Sequence, residues 1–306
     1  MVIVAVFPGQ GSQTPGFLSP WLEIEGVRER LEAYSDDAQV DLIAAGTEWD
    51  ADRIRDTKVA QPLIVAASLV SWHALAGARR AVGGVAGHSV GEVAALVAGG
   101  VLDDDEGMRL VGVRGRAMAE AAALVETGMS AILGGDEEAV LQRLSDLDLT
   151  PANFNGGGQI VAAGAASGLA ELSSTPPQGS RVIPLSVAGA FHTRYMASAV
   201  DTLRAAAATL DPADPATTVW SNNDGRAVTG GREAVDLLVG QVASPVRWDL
   251  CMASFAAAGV SGIVELAPAG TLVGLAKRSL RGVPSVAVKT PDDLASATTL
   301  LTGGVE

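Results

Sequence analysis

Hydrophobic residues fall along this chain in short blocks whose spacing changes character several times. The apolar run Met1 to Phe7 ends at Pro8 and predicts a buried strand feeding the glycine-rich loop Pro8-Gly9-Gln10-Gly11-Ser12-Gln13. Residues 20 to 56 mix charged and apolar positions, as surface helices packed on a core do. Gln61-Pro62 then opens an apolar helix through Leu63, Ile64, Val65, Leu69, Val70 and Trp72, with proline suited to its first turn. Val82 to Ala86 predicts a second buried strand, and Val93, Leu96 and Val97 predict a helix that stops at Gly99-Gly100. Asp103-Asp104-Asp105 begins another helix, with acidic residues where its dipole favours them.

The pattern shifts between 127 and 187. Strands are expected at Met129–Leu133, Leu149–Asn153, Gln159–Ala163 and Arg181–Leu185, with helices at Glu137–Leu144 and Leu169–Ser173. That is the β-α-β-β-α-β order of a ferredoxin-like unit, inserted between 1–126 and 188–306 of a larger one. Asn155-Gly156-Gly157-Gly158 is expected to join its middle strands. Further on, Thr217–Ser221 and Arg226–Val228 flank Asn223-Asp224-Gly225 as a hairpin, and a helix through Val235, Leu237 and Leu238 ends near Gln241. A strand over Gly262–Leu266 runs into Ala267-Pro268-Ala269-Gly270, followed by a helix carrying Lys277, Arg278 and Arg281.

Composition narrows the class of protein. At 306 residues, 48% hydrophobic and 18% charged, the chain describes a folded, soluble protein of one large or two smaller domains. Its formal charge of -14 argues against a nucleic-acid or anionic-membrane surface. A single cysteine, Cys251, excludes an intrachain disulfide and suits a reducing cytoplasm. The first apolar run lacks a positive n-region, and no run approaches the roughly 18 residues of a membrane span, so neither a signal peptide nor a spanning helix is expected.

The chemistry centres on Gly87-His88-Ser89-Val90-Gly91-Glu92. It fits G-x-S-x-G between a strand and a helix, the setting in which a serine tops a sharp turn with its hydroxyl exposed. Alternatively Ser89 merely caps the following helix. Three histidines are present; His73 reads as structural, and His88 leaves the turn in another direction, which leaves His192 in Gly189-Ala190-Phe191-His192-Thr193 as the base. Arg109, Arg116 and Glu120 share a helical face, Arg116 and Glu120 forming an i,i+4 pair. Arg114 instead shares its stripe with Leu110, Ala117, Met118 and Ala121, where an arginine needs an anion: a substrate carboxylate or an internal Asp or Glu. The loop after the first strand lacks the Lys-Ser/Thr of a phosphate loop.

Taken in order, Phe7-Pro8-Gly9-Gln10-Gly11-Ser12-Gln13, the serine elbow, Arg114, Asn153-Phe154-Asn155, Gly189-Ala190-Phe191-His192 and Pro245-Val246-Arg247-Trp248 resemble the malonyl-CoA:acyl carrier protein transacylases, a family shared with polyketide synthase acyltransferase domains. The resemblance spans nearly the whole chain. It implies an α/β-hydrolase-like catalytic subdomain with a parallel central sheet and the inserted ferredoxin-like one. It implies Ser89 as the acylated nucleophile, His192 as its base, the amides of Gln10 and Val90 as the oxyanion hole, and the Gln241 carbonyl as the group that orients the histidine. Arg114 then binds the malonyl carboxylate, with Gln10, Phe191 and Asn155 also at the substrate. The implied partners are malonyl-CoA and holo acyl carrier protein, which brings its own phosphopantetheine; no bound cofactor and no metal are expected, and a monomer is. Lys277, Arg278 and Arg281 are the docking candidates, although a helix C-terminus alone welcomes such cations. The chain departs from the family in Glu265-Leu266-Ala267-Pro268-Ala269, where Glu-x-Gly-Pro-Gly is usual, in its three-glycine loop, and in Thr193, where serine is usual. A serine hydrolase or thioesterase on the same elbow, and a noncatalytic carrier-binding module, are the alternative readings.

Overall fold

The computed structural model describes residues 2–303; Met1, counted in the expected first strand, and 304–306, counted in the expected larger unit, lie outside them. In chain order the strands are β1 Val2–Phe7, β2 Val82–Gly87, β3 Thr127–Gly134, β4 Thr150–Gly156, β5 Gln159–Ala165, β6 Ser180–Pro184, β7 Thr218–Trp220, β8 Ala227–Val228, β9 Val246–Arg247, β10 Val260–Glu265 and β11 Ser285–Ala287. The larger sheet has the order β11-β10-β1-β2-β7-β8, parallel except for the β7–β8 hairpin that Asn223-Asp224-Gly225 announced. β1 lies inside this sheet and is buried on both faces, which is why it reads as a continuous apolar run.

Register places the site. Phe7 pairs with Gly87, so the loops leaving β1 and β2 emerge side by side. The carboxyl ends of β7 and β10 open on the same edge, where parallel α/β sheets bind ligands.

The smaller sheet has the order β6-β3-β5-β4-β9. Its first four strands are antiparallel in the ferredoxin-like arrangement, but β9 joins parallel to β4 from outside 127–187. There the Arg247 guanidinium stacks on the Phe154 ring at 4.6 Å and pairs with Asp249 at 2.7 Å. Two residues are too short to read as a strand; pairing with β4 makes them one.

Other local expectations change for identifiable reasons. The apolar helix begins at Thr57 rather than Gln61, capped by Asp56, and Pro62 lies inside it. Proline there forgoes the bond to the Lys58 carbonyl, but every residue from Val59 to Trp72 is buried, and that packing outweighs the lost bond. Gln61 is thereby carried into the core beside helix Asp104–Ala122. The expected Arg116–Glu120 pair does not form. Arg116 donates to the Ala38 carbonyl at 2.8 Å and Arg109 pairs with Asp37 at 3.0 Å, because the end of helix Val27–Ala38 offers both a nearer partner. Asn155 and Gly156 belong to β4 rather than to its connection with β5. His73 is structural, held between Asp104 at 2.7 Å and Arg79 at 2.8 Å. Among the described residues no helix is long and apolar enough to cross a membrane.

Candidate active site

The elbow forms because its glycines have no alternative. A Cβ on Gly91 would sit 2.1 Å from the Phe7 carbonyl oxygen, and one on Gly87 2.0 Å from the Gly91 carbonyl carbon. Ser89 takes φ +54, a left-handed conformation that costs an L-residue about 1 to 2 kcal/mol. Asn222 holds it there, its Oδ1 accepting from Ser89 N–H at 2.8 Å and its Nδ2 donating to the Gly87 carbonyl at 2.7 Å. The capping alternative fails: helix Gly91–Ala98 has Val90 at its N-cap and no side-chain cap. Asn222→Ala leaves these groups unsatisfied in a buried turn, which should lower unfolding stability by about 2 to 4 kcal/mol in urea titration. A loss under 1 kcal/mol would show that Asn222 is dispensable to the elbow.

His192 reaches the serine from 103 residues away, with Nε2 2.7 Å from Ser89 Oγ. Its Nδ1 lies 2.8 Å from the Gln241 carbonyl, which can only accept, so Nδ1 carries the proton and Nε2 is free to take the serine's. Burial, reinforced by the Arg114 charge, lowers its pKa to about 3. The imidazole is therefore neutral at physiological pH, as a base must be.

Arg114 is 1% exposed and, among the described residues, has no carboxylate in direct contact. Nη1 donates to Gln61 Oε1 and Nη2 to Gln241 Oε1, each at 2.7 Å, while Nη2 also lies 3.5 Å from Ser89 Oγ. Nε is buried without a partner. The anion whose charge reaches it is Glu92, through Gln241, whose Nε2 donates to Glu92 Oε2. Burial lowers the Arg114 pKa to about 10, partly offset by Glu92, and raises that of Glu92 to about 7. The internal acid-base partner considered for Arg114 thus exists only at second hand, and the guanidinium keeps an unfilled donor.

A cleft of about 230 Å³ opens in front of Ser89, lined by Gln10, His88, Asn155, Phe191 and His192 among others. Arg114 lies behind this lining, beyond Ser89 Oγ. Among the described residues the amides of Gln10 and Val90 donate to no protein acceptor, as an oxyanion hole requires. The Gln10 side chain turns away to the Arg55 carbonyl at 3.2 Å. His88 does leave the turn in another direction, to Asn155 Oδ1 at 2.8 Å, and Asn155 also donates to Gln159. Thr193 keeps a hydroxyl's work, donating to Ala190 and accepting from Tyr195 N–H. At the altered turn the Glu265 carboxylate accepts from Leu272 and Val273 N–H, and Ala269 takes φ +52. Thr271, Leu272 and Leu275 of helix Thr271–Ser279 wall the cleft, while Lys277, Arg278 and Arg281 stand exposed at that helix's far end.

Sequence reasoning overlooked Gln61, Asn222, the Gln241 side chain and the role of Glu92. Asn222 is hidden beside a hairpin signal and Gln61 beside a proline. Glu92 alone carried a signal, a carboxylate immediately behind the elbow in an otherwise apolar helix.

The acyl transferase domain model matches residues 4–298. The malonyl CoA-acyl carrier protein transacylase of Mycobacterium tuberculosis is 53% identical over 298 residues, 96% of this chain and 98% of that protein. The crystal structure of MCAT from Mycobacterium tuberculosis superposes with a TM-score of 0.95 at 51% identity, covering 97% of this chain and 100% of that one. A malonyl transacylase solved with its holo type II polyketide acyl carrier protein gives a TM-score of 0.91 at 29% identity, covering 98% and 100%.

Proposed function

The chain belongs to the acyl transferase family, with the malonyl CoA-acyl carrier protein transacylases as its relatives, and from this premise we propose how it transfers a malonyl group from malonyl-CoA to the phosphopantetheine thiol of holo acyl carrier protein. One observation supports the reading above the rest. A serine bonded to a neutral histidine has, within 3.5 Å of the same oxygen, a buried guanidinium whose Nε has no partner among the described residues.

Ser89 Oγ attacks the thioester carbonyl while His192 Nε2 takes its proton. The amides of Gln10 and Val90 hold the tetrahedral oxyanion, a donor of this kind being worth about 3 to 4 kcal/mol. Collapse breaks the C–S bond, and His192 returns the proton to the departing coenzyme A sulfur. The carrier thiol then repeats the sequence in reverse on the malonyl-serine ester. The Gln241 carbonyl orients His192, so no carboxylate is needed as a third catalytic group. The Nε and Nη2 edge of Arg114 draws the malonyl carboxylate past Ser89, a bidentate fit. Donor and acceptor each bring their own pantetheine arm, so the protein needs no resident cofactor for this chemistry.

The same proposal divides the chain into 1–126 with 188–306 as the catalytic subdomain and 127–187 as the small one, β9 of the former closing the sheet of the latter. With it goes the proposal of a monomer that works in the cytoplasm beside its coenzyme A substrate. The product serves fatty acid or polyketide synthesis.

Incubation with malonyl-CoA or acetyl-CoA, intact-mass measurement, and a chase with water or holo carrier protein test the reaction. A malonyl adduct on Ser89 that persists in water and leaves to the carrier is expected. Rapid loss in water means a hydrolase, and no adduct means a noncatalytic module.

Phe191, 6% exposed at the cleft wall, is placed to crowd the malonyl α-carbon. Phe191→Ala should raise methylmalonyl loading relative to malonyl by about tenfold, the effect of roughly one methyl's worth of space. An unchanged ratio in a competition assay would remove Phe191 from selectivity. Carrier docking is proposed at Lys277, Arg278 and Arg281, cations on the element that walls the cleft and complementary to an acidic carrier. Charge reversal at Lys277 and Arg278 should raise the carrier KM about tenfold and leave acylation by malonyl-CoA unchanged; an unaltered carrier KM would move docking elsewhere.

A further inference from the structure

Glu92 is left over from this mechanism. It is 2% exposed, touches neither Ser89 Oγ nor His192, and lies behind the elbow in helix Gly91–Ala98. Its Oε1 accepts from Asn222 N–H at 3.2 Å, and its Oε2 from Gln241 Nε2. The other end of that amide, Oε1, accepts from Arg114. Gln241 is thus polarised lengthwise between a buried cation and a buried anion, and its orientation is dictated by them.

Resting on the malonyl-transfer reading, we propose that Glu92 is the resident counter-charge of Arg114, relayed by Gln241, and that it takes up a proton when the malonyl carboxylate arrives at the guanidinium.

Charge counting gives the reason. With the substrate absent, one buried cation faces one buried anion across an amide. With malonyl bound, two carboxylates share one guanidinium in a region closed to water, an arrangement that interior electrostatics resolves by protonating one of them. On the proposed reading the substrate carboxylate meets the guanidinium directly, at the unpartnered Nε and at Nη2 beside Ser89 Oγ, whereas Glu92 reaches the cation only through an amide. Glu92 is therefore the one to be protonated.

Among the described residues no other group facing Glu92 replaces it. From helix Asp104–Ala122 comes Arg114, from helix Gly231–Gln241 the neutral Gln241, and from the β7 loop Ser221 and Asn222. Helix Trp248–Ala257 supplies Cys251, whose thiol burial holds protonated. His88 and His192 stand on the far side of Ser89, both held neutral by burial. Glu92 itself is poised for the change, since burial lifts its pKa to about 7.

The prediction separates Glu92, a positioning residue, from a merely structural carboxylate. Ser89→Ala protein, which binds without reacting, is titrated with malonyl-CoA and with acetyl-CoA by calorimetry in phosphate and in Tris. The difference in heat between buffers counts protons, and acetyl-CoA subtracts whatever the shared coenzyme contributes. Malonyl-CoA should take up about half a proton more than acetyl-CoA at pH 7, close to one at pH 8.5 and almost none at pH 5.5. Ser89→Ala with Glu92→Gln should abolish the difference. Equal uptake for both ligands, uptake that does not grow with pH, or uptake retained without Glu92 overturns the proposal while malonyl transfer stands. If malonyl-CoA gives no binding heat and the unmutated protein forms no malonyl adduct, the functional reading fails and takes the proposal with it. Where the double variant does not fold, the pH series alone decides.

Discussion

Replacing His192 with alanine should slow acylation of Ser89 by malonyl-CoA about 10³- to 10⁴-fold, because the serine loses the base that its hydroxyl bonds at 2.7 Å. Intact-mass time courses of the malonyl adduct measure this directly. The pH dependence of the parent protein sharpens the test. An ordinary imidazole would protonate near pH 6.5 and carry the rate down with it. Here burial and the Arg114 charge lower the His192 pKa to about 3, so the base stays neutral on acidification. The sign follows: kcat/KM for acylation should show no acid limb between pH 7.5 and 5, and should fall only as pH approaches the lowered value. A tenfold fall centred on pH 6.5 would mean that His192 is more solvated than its 3% exposure indicates.

Arg114→Ala should lower malonyl loading about 10²- to 10³-fold while leaving acetyl loading within about tenfold, so that the preference between the two donors nearly vanishes. The loss combines the missing carboxylate contact with a buried Glu92 that no longer has a cation to balance it. Arg114→Lys should not restore the preference. An ammonium cannot hold Gln61 and Gln241 in fixed directions and still offer two parallel donors to a carboxylate. Rate constants for both donors on each variant check this, and a lysine variant with parental selectivity would reduce the role of Arg114 to charge alone.

Both variants alter groups that were legible before any coordinates. The elbow, the singled-out His192 and the arginine in an apolar stripe each broke a local pattern: a glycine-flanked serine, a histidine in a loop, a cation among Leu110, Ala117, Met118 and Ala121. The β-α-β-β-α-β order of 127–187 was equally open to reading, because its periods alternate cleanly and its turns carry glycine and proline. By contrast Gln61, Asn222 and the Gln241 side chain looked like ordinary polar residues. An amide has no periodicity and no charge, and its importance comes from what stands on either side of it in space.

The same division runs through the fold. The amino-acid sequence alone singled out the β-α-β-β-α-β order, the serine elbow, His192 and Arg114, from apolar spacing and from residue types that are costly where they sit, while the parallel sheet was implied by the family resemblance. Tertiary structure decided where packing overruled local preference, as at Pro62, and where two residues became a strand by joining β4. It alone brought Gln61, Glu92, Asn222 and Gln241, which lie up to 180 residues apart, around one guanidinium and one serine. Hydrogen bonds among buried groups depend on distance and direction in the folded molecule, and neither quantity is written in the order of the residues.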